Sequence, residues 1–368
     1  MKVHCSKDSL LTGVNTVQKA VSSKNTLPIL QSISLKAEGQ KLIFTATDLE
    51  IGIRCEVPAQ TEIEGTVVLP AKLFTDIVRK LPDTTITLSS QEESIHLFYY
   101  NSEILLKGYD QDEFPLLPDL LDPTVFSLPT NLFRKMIHET VFACGSEENR
   151  PVFSGLLLEI DHQNLRLIAT DTHRLAYRLA EIPNPDDIKF SGIIPSKTMS
   201  EIYRLLKEDD ETLAIRFNDA QVSFQFGSVH LVSRLIEGQF PNYKQVIPQT
   251  CETKVYLSVR DFMESVERAS LLARDSSAGA SIVRLSIKDN IIHLDHSTEI
   301  GRIAEQIYME KEGNDLNISF NSKFILDVLR VIDAEEILFE LSGPQGAAVI
   351  RNIQDRNYIY LLLPVRTY

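Results

Sequence analysis

The chain has 368 residues, of which 37 are basic and 51 acidic, giving a formal net charge of −14. With 43% hydrophobic and 24% charged residues it has the composition of a folded protein, and its length suits two or three domains. No apolar run approaches the roughly eighteen residues of a membrane-spanning helix. None follows the opening Met1 to Asp8 either, so no secretory signal is expected. Cys5, Cys55, Cys144 and Cys251 are too scattered for a zinc site or a disulfide framework, which fits a reducing cytoplasm. The acidic total argues against a protein that adheres to nucleic acid over its whole surface, because phosphate binding needs concentrated Lys and Arg.

In chain order, a helical apolar pattern over residues 9–21 comes first. β-rich runs follow, including 32–36, with a polar break at Glu38-Gly39-Gln40. A second helical pattern spans 69–81, with a strand signal at 84–88 behind it, and Leu120-Leu121-Asp122-Pro123 marks a boundary. The middle third repeats the order: helical patterns at 131–143 and 194–206, the break Asn218-Asp219, and a strand at 221–226. After a second boundary at Ile247-Pro248-Gln249-Thr250 come a helical pattern at 259–273, a strand at 291–294 and a helical pattern at 320–332.

The order recurs because the sequence recurs. Lys72, Asp76 and Arg79 return as Lys197, Glu201 and Arg204, and again as Lys323, Asp327 and Arg330, the lysines standing 125 and then 126 positions apart. Ala46-Thr47-Asp48 returns as Ala169-Thr170-Asp171, and Phe114-Pro115 as Phe240-Pro241. The chain therefore reads as three copies of one domain-sized unit, 1–121, 122–249 and 250–368. Short polar breaks between strands and the lack of a Gly-rich strand-to-helix turn make the fold class α+β, built of antiparallel hairpins.

On a helical wheel the repeated second helix divides sharply. Leu73, Phe74, Ile77, Val78 and Leu81 share one arc, and Lys72, Thr75, Asp76 and Arg79 the other. One such polar face is an ordinary solvated surface. Three with cations at the same two positions point to a surface that the repeats build together, mildly basic within an acidic chain.

Motifs for catalysis are missing. No phosphate-binding loop, dinucleotide turn, nucleophile elbow or HExxH helix occurs. His293 and His296 read as two surface histidines, since a strand turns them to opposite faces. Thr170-Asp171 is shared with the first repeat and reads as a scaffold turn. Thr172-His173-Arg174-Leu175, peculiar to the second repeat, reads as a binding surface because no nucleophile or metal partner accompanies it.

These residues carry a resemblance. Asn25-Thr26-Leu27-Pro28-Ile29-Leu30, Ala46-Thr47-Asp48-Leu49-Glu50, the run from Ala169 to Leu175, Gly238-Gln239-Phe240-Pro241-Asn242-Tyr243 and Leu363-Pro364-Val365-Arg366 are similar to the bacterial sliding clamps, the β subunits of DNA polymerase III, along essentially the full length. The resemblance implies a DNA clamp fold of three similar domains, each with two inner helices and outer antiparallel sheets. It implies a head-to-tail homodimer, a ring that encircles double-stranded DNA without reading sequence. It also implies a non-catalytic protein with no cofactor or metal. Its partners would be a clamp loader, the replicative polymerase and other proteins carrying short clamp-binding motifs, with no membrane. Lys24, Lys72, Arg79, Arg150, Lys197 and Arg204 would face DNA phosphates. A hydrophobic pocket for partner peptides would draw on Phe153, Thr170, Thr172, His173, Arg174 and Leu175 in the central domain, together with Pro241 and Val246. Phe324 and the end of the chain, Leu361, Leu363, Pro364, Val365 and Arg366, would complete it. Ile104 and Leu106 would meet Leu271 and Leu272 at the ring seam. The alternatives to a ring are an enzyme centred on residues 171–174 and an acidic protein-binding adaptor that does not encircle DNA.

Overall fold

Helices form where the apolar spacing is helical and a polar residue caps the start. α1 (Lys7–Val17) begins at Ser6, whose Oγ accepts the Ser9 amide at 3.1 Å, and buries Leu10, Val14 and Val17. Gly13 lies so close to the Phe44 ring that a Cβ there would stand 2.4 Å from it, so only glycine lets this helix seat on the strand Lys41–Thr47. α2 spans Ala71–Lys80, α3 Thr130–His138, α4 Ser196–Leu205, α5 Val259–Leu271 and α6 Ser322–Leu329. Ser258 caps α5 and Asn321 caps α6 in the same manner as Ser6. The computed structural model describes residues 1–22, 27–118, 120, 124–146, 150–207, 212–272, 282–298 and 301–366. The first expected domain boundary, at 121/122, lies outside them.

The contacts group the chain into two compact units, Met1–Phe133 with Ser200–Leu235, and Arg134–Met199 with Ile236–Tyr368. The first unit holds a five-stranded sheet ordered Gln60–Ile63, Lys2–Ser6, Thr85–Gln91, Ser94–Tyr99, Ser102–Lys107. It also holds an eight-stranded sheet in which Ile51–Pro58 of the first repeat pairs with Val229–Arg234 of the second. The second unit holds a nine-stranded sheet in which Arg174–Glu181 of the second repeat pairs with Tyr358–Leu362 of the third. Its four-stranded sheet runs Gly301–Tyr308, Ile291–Thr298, Ile282–Lys288, Leu316–Asn321. The middle repeat is divided between the units because each half of it is stitched into a neighbour's sheet.

One rule makes both junctions. The strand that follows the Thr-Asp turn of a repeat pairs antiparallel with the last strand of the next repeat. The counterparts left over are Gly301–Tyr308 in the third repeat and Ser102–Lys107 in the first. Each is an edge strand of its own sheet among the described residues.

Two sequence expectations are corrected. Leu73 of α2 is 50% exposed, whereas Thr75 is buried, because the helix seats on Ala71, Phe74, Thr75 and Val78. His296 is not a surface residue. It shares the core-facing side of its strand with Ile292 and Leu294 and approaches the Ile282 carbonyl through Nδ1 at 2.7 Å.

Candidate partner-binding cleft and cationic helix faces

The Thr-Asp turn is the same object in both repeats. Thr47 Oγ1 donates to the Ile51 carbonyl and accepts the Leu49 amide, while Asp48 Oδ1 accepts the amides of Glu50 and Ile51. Thr170 Oγ1 likewise donates to the Arg174 carbonyl and accepts the Thr172 amide, while Asp171 Oδ1 accepts those of His173 and Arg174. The third turn residue is left-handed in each, φ 75° at Leu49 and 77° at Thr172. That conformation costs a non-glycine residue roughly 1–2 kcal/mol, and the local bonds offset it. The turn leaves the Thr172 and His173 side chains exposed.

Beyond the turn, the strand Arg174–Glu181 separates two environments by its alternation. Leu175 and Tyr177 face a cluster with Leu157, Ile168, Ile193, Tyr243, Val349 and Leu361. Phe240, Ile247 and Val152 pack against this floor, Pro241 and Val246 are exposed near it in sequence, and Phe153 is half-buried in the turn Pro151–Phe153. The chain's end runs alongside. The Leu363 amide donates to the His173 carbonyl and the Val365 amide to the Ser319 carbonyl, both at 2.8 Å, with the donorless Pro364 between them. Leu363 and Arg366 are exposed there, and Pro364 and Val365 are half-buried.

Arg174 lies on the other side of the strand. It is 6% exposed. Its Nε donates to Asp171 at 2.9 Å, Nη1 to Asp327 at 2.6 Å and Nη2 to the Phe142 carbonyl at 2.7 Å. Its guanidinium carbon lies 4.4 Å from the centre of the Phe324 ring and 5.6 Å from that of Phe142. Burial works against the charge, but Tyr360, Asp327 and Asp171 more than offset it and hold the guanidinium protonated. Arg174 thus braces the turn and α6, and Phe324 and Thr170 belong with it as supports. Leu175 and Leu361 belong to the buried apolar cluster, and His173 stands exposed on the turn. Tyr243, Leu157, Ile168 and Val349 join the same buried cluster, which the site residues expected from the sequence do not include. The signal for Tyr243 was its place in Phe240-Pro241-Asn242-Tyr243, whereas the others arrive only through strand pairing.

Lys72 and Arg79 on α2, Lys197 and Arg204 on α4, and Arg150 are exposed; Lys24 lies outside the described residues. Arg79 reaches Asn15 at 3.2 Å and Asp76 at 3.8 Å, and Arg204 pairs with Glu201 at 2.5 Å. Ile104 is half-buried. Leu106, 7% exposed, faces its own core, so the exposed leucine of that edge strand is Leu105. Leu271 is exposed at the end of α5 and Leu272 half-buried. Among the described residues no helix is long and apolar enough to cross a membrane, and no group of three acids, histidines or cysteines could hold a metal ion.

A triplicated α+β chain with antiparallel sheets shared between repeats and cationic helix faces is a binding scaffold of the clamp class. The sequence matches the N-terminal domain of the DNA polymerase III beta subunit over residues 1–118, its central domain over 127–242 and its C-terminal domain over 244–366. The chain belongs to the DNA polymerase III beta subunit family. It is 35% identical to the beta sliding clamp of Bacillus subtilis (strain 168) and to that of Staphylococcus aureus (strain N315), over the full length of every chain. The crystal structure of the Bacillus subtilis DNA polymerase sliding clamp superposes with a TM-score of 0.96, again over all of both chains. The three-domain clamp fold expected from the sequence is the fold observed.

Proposed function

We propose that the chain is a non-catalytic processivity subunit, a sliding clamp of three domains, 1–121, 122–249 and 250–368. Two copies close head to tail into a ring around duplex DNA. A clamp loader opens that ring, and it tethers the replicative polymerase in the cytoplasm. The observation that carries this reading is the junction rule. Inside the chain, each strand after a Thr-Asp turn finds the last strand of the following repeat. Gly301–Tyr308 and Ser102–Lys107 are the one pair the rule leaves unmatched, and pairing them between two copies satisfies it. Such a contact joins different surfaces, and its closure after two copies makes a ring rather than a fibre.

Weak cation–phosphate contacts suffice for a ring, because topology, not affinity, retains it. The exposed Lys72, Arg79, Lys197, Arg204 and Arg150 support this role, and three of the helix arginines already share their charge with helix acids. The proposed docking place for short apolar peptides from partner proteins is the surface round the exposed His173 and Leu363, which a backbone hydrogen bond joins beside the buried apolar cluster. Loading onto nicked circular duplex tests the function. The protein is expected to stay on circles and to run off once they are cut to linear form. A chain that never forms a dimer, or leaves circles as fast as linear DNA with a loader present, would overturn it.

A further inference from the structure

We propose that Glu305, held by Arg268, takes a hydrogen bond from Asn101 or Ser102 of a second copy, completing at the seam a polar contact that each junction inside the chain already makes. The inference deepens the ring reading and rests on it. The three counterpart strands Ile51–Pro58, Arg174–Glu181 and Gly301–Tyr308 each have eight residues, and their fifth residues are Cys55, Arg178 and Glu305. The first helices of the three repeats begin at Lys7, Thr130 and Val259, and the tenth residues from those starts are Thr16, Glu139 and Arg268. In every repeat the tenth residue meets the fifth. Thr16 shares a side-chain hydrogen bond with Cys55, and Glu139 lies 3.1 Å from Arg178 Nε. Arg268 donates to both oxygens of Glu305, through Nε at 2.6 Å and Nη2 at 2.7 Å. The charges change sign between the second and third repeats, but the place is the same.

At both internal junctions the fifth residue has a further partner in the next repeat, just ahead of the strand that pairs with its own. Cys55 shares a second side-chain hydrogen bond with Ser228, which directly precedes Val229–Arg234. Arg178 donates to Asp355 at 2.5 Å, three residues ahead of Tyr358–Leu362. Glu305 stands on an edge strand among the described residues, so this third partner must come from outside the chain. The register names it. Cys55 lies opposite Val229 and Arg178 opposite Tyr358, each the first residue of the strand across the junction. The same register sets Glu305 opposite Ser102, the first residue of Ser102–Lys107, with Asn101 directly ahead of it. It also sets the half-buried Ile303 and Gly301 against Ile104 and Leu106, and the exposed Arg302 and Ala304 against the exposed Leu105 and Glu103. A slip of one residue would turn Ile303 to Glu103. The Arg268 bond outweighs burial and lowers the Glu305 carboxyl, so the acceptor is ionised and has lone pairs left for the exposed Asn101 amide and Ser102 hydroxyl.

The test follows subunit exchange between differently labelled dimers of the full chain. It compares the native protein, Glu305→Gln, Asn101→Ala with Ser102→Ala, and all three changes together. Glu305→Gln and the turn variant are each expected to exchange about ten-fold faster than the native protein, as for a lost hydrogen bond to a charged group. The three changes together should exchange no faster than the faster of the two, because both variants remove one contact. The turn variant alters only exposed side chains, so it decides the matter even where Glu305→Gln disturbs the fold. Exchange at the native rate in the turn variant, or effects that multiply in the combination, overturns the contact and leaves the ring reading standing. A native chain that forms no dimer to exchange overturns the ring reading itself, and the contact with it.

Discussion

Arg178 and Glu139 show how far burial can set the chemistry of single residues in this chain. Arg178 leaves the same strand face as Arg174. Its Nη1 donates to Asp355 at 2.5 Å and its Nε lies 3.1 Å from Glu139. Glu139 is 3% exposed, and burial pushes its carboxyl up to about 7 against the opposing pull of Arg178 and Lys135. The folded state therefore holds a proton that the unfolded chain releases near 4.5. Stability falls as pH rises from about 4.5 to about 7 and is level above that. Asp355 acts with the opposite sign: burial is the largest single influence and raises its carboxyl, but the hydrogen bonds from Arg178 and the Asn357 amide, with the charges of Arg178 and Lys135, together outweigh it and lower the carboxyl. The stability it contributes is lost only in acid below the ordinary aspartate range. Urea midpoints at pH 5, 6 and 7.5 check the first effect. Glu139→Gln is expected to flatten the decline seen in the native chain, and parallel profiles would show that Glu139 is ionised throughout.

At the scale of elements, the repeated second helices carry the cations. An exposed ion pair such as Arg79–Asp76 or Arg330–Glu267 contributes only about 0–1 kcal/mol, so these arginines can exchange their acids for phosphate at little cost. Replacing Lys72, Arg79, Lys197 and Arg204 together by Ala is expected to weaken duplex binding at low salt. The slope of log K against log salt should shrink by nearly one unit for each phosphate that is no longer neutralised. An unaltered slope would remove the helices from the DNA surface. This layer was legible in the sequence because helical spacing alone puts residues seven apart on one face. The Thr-Asp turn was legible for a related reason, since all its hydrogen bonds close within five residues. What could not be read depends on distant partners. Asp327 turns to Arg174, 153 positions away, instead of lying beside Lys323 on the polar face, and Val349 shares a buried cluster with Leu175 only because the last strand of the third repeat pairs with the Val349 strand on one side and with Arg174–Glu181 on the other.

For the molecule as a whole, the net charge of −14 and a DNA-encircling role agree once the cations are placed. An acidic total discourages adhesion over the whole surface, and the proposed phosphate contacts ask only for local basic faces. The proposed seam is open to a direct check, because Leu105 and Leu271 are 54% and 57% exposed and neither belongs to the core of its own unit. Leu105→Asp with Leu271→Asp is expected to shift sedimentation from dimer toward monomer while circular dichroism keeps the folded spectrum, and an undiminished dimer would place the seam elsewhere.

The junction rule reaches further than the ring. If every repeat joins the next by the same strand pairing, the place where the chain is opened is free to change, provided the cyclic order of the three repeats is kept. Circular permutation, with residue 368 tethered to residue 1 and new ends opened between the first and second repeats, would move the breakable seam to a new place while every strand kept its partner.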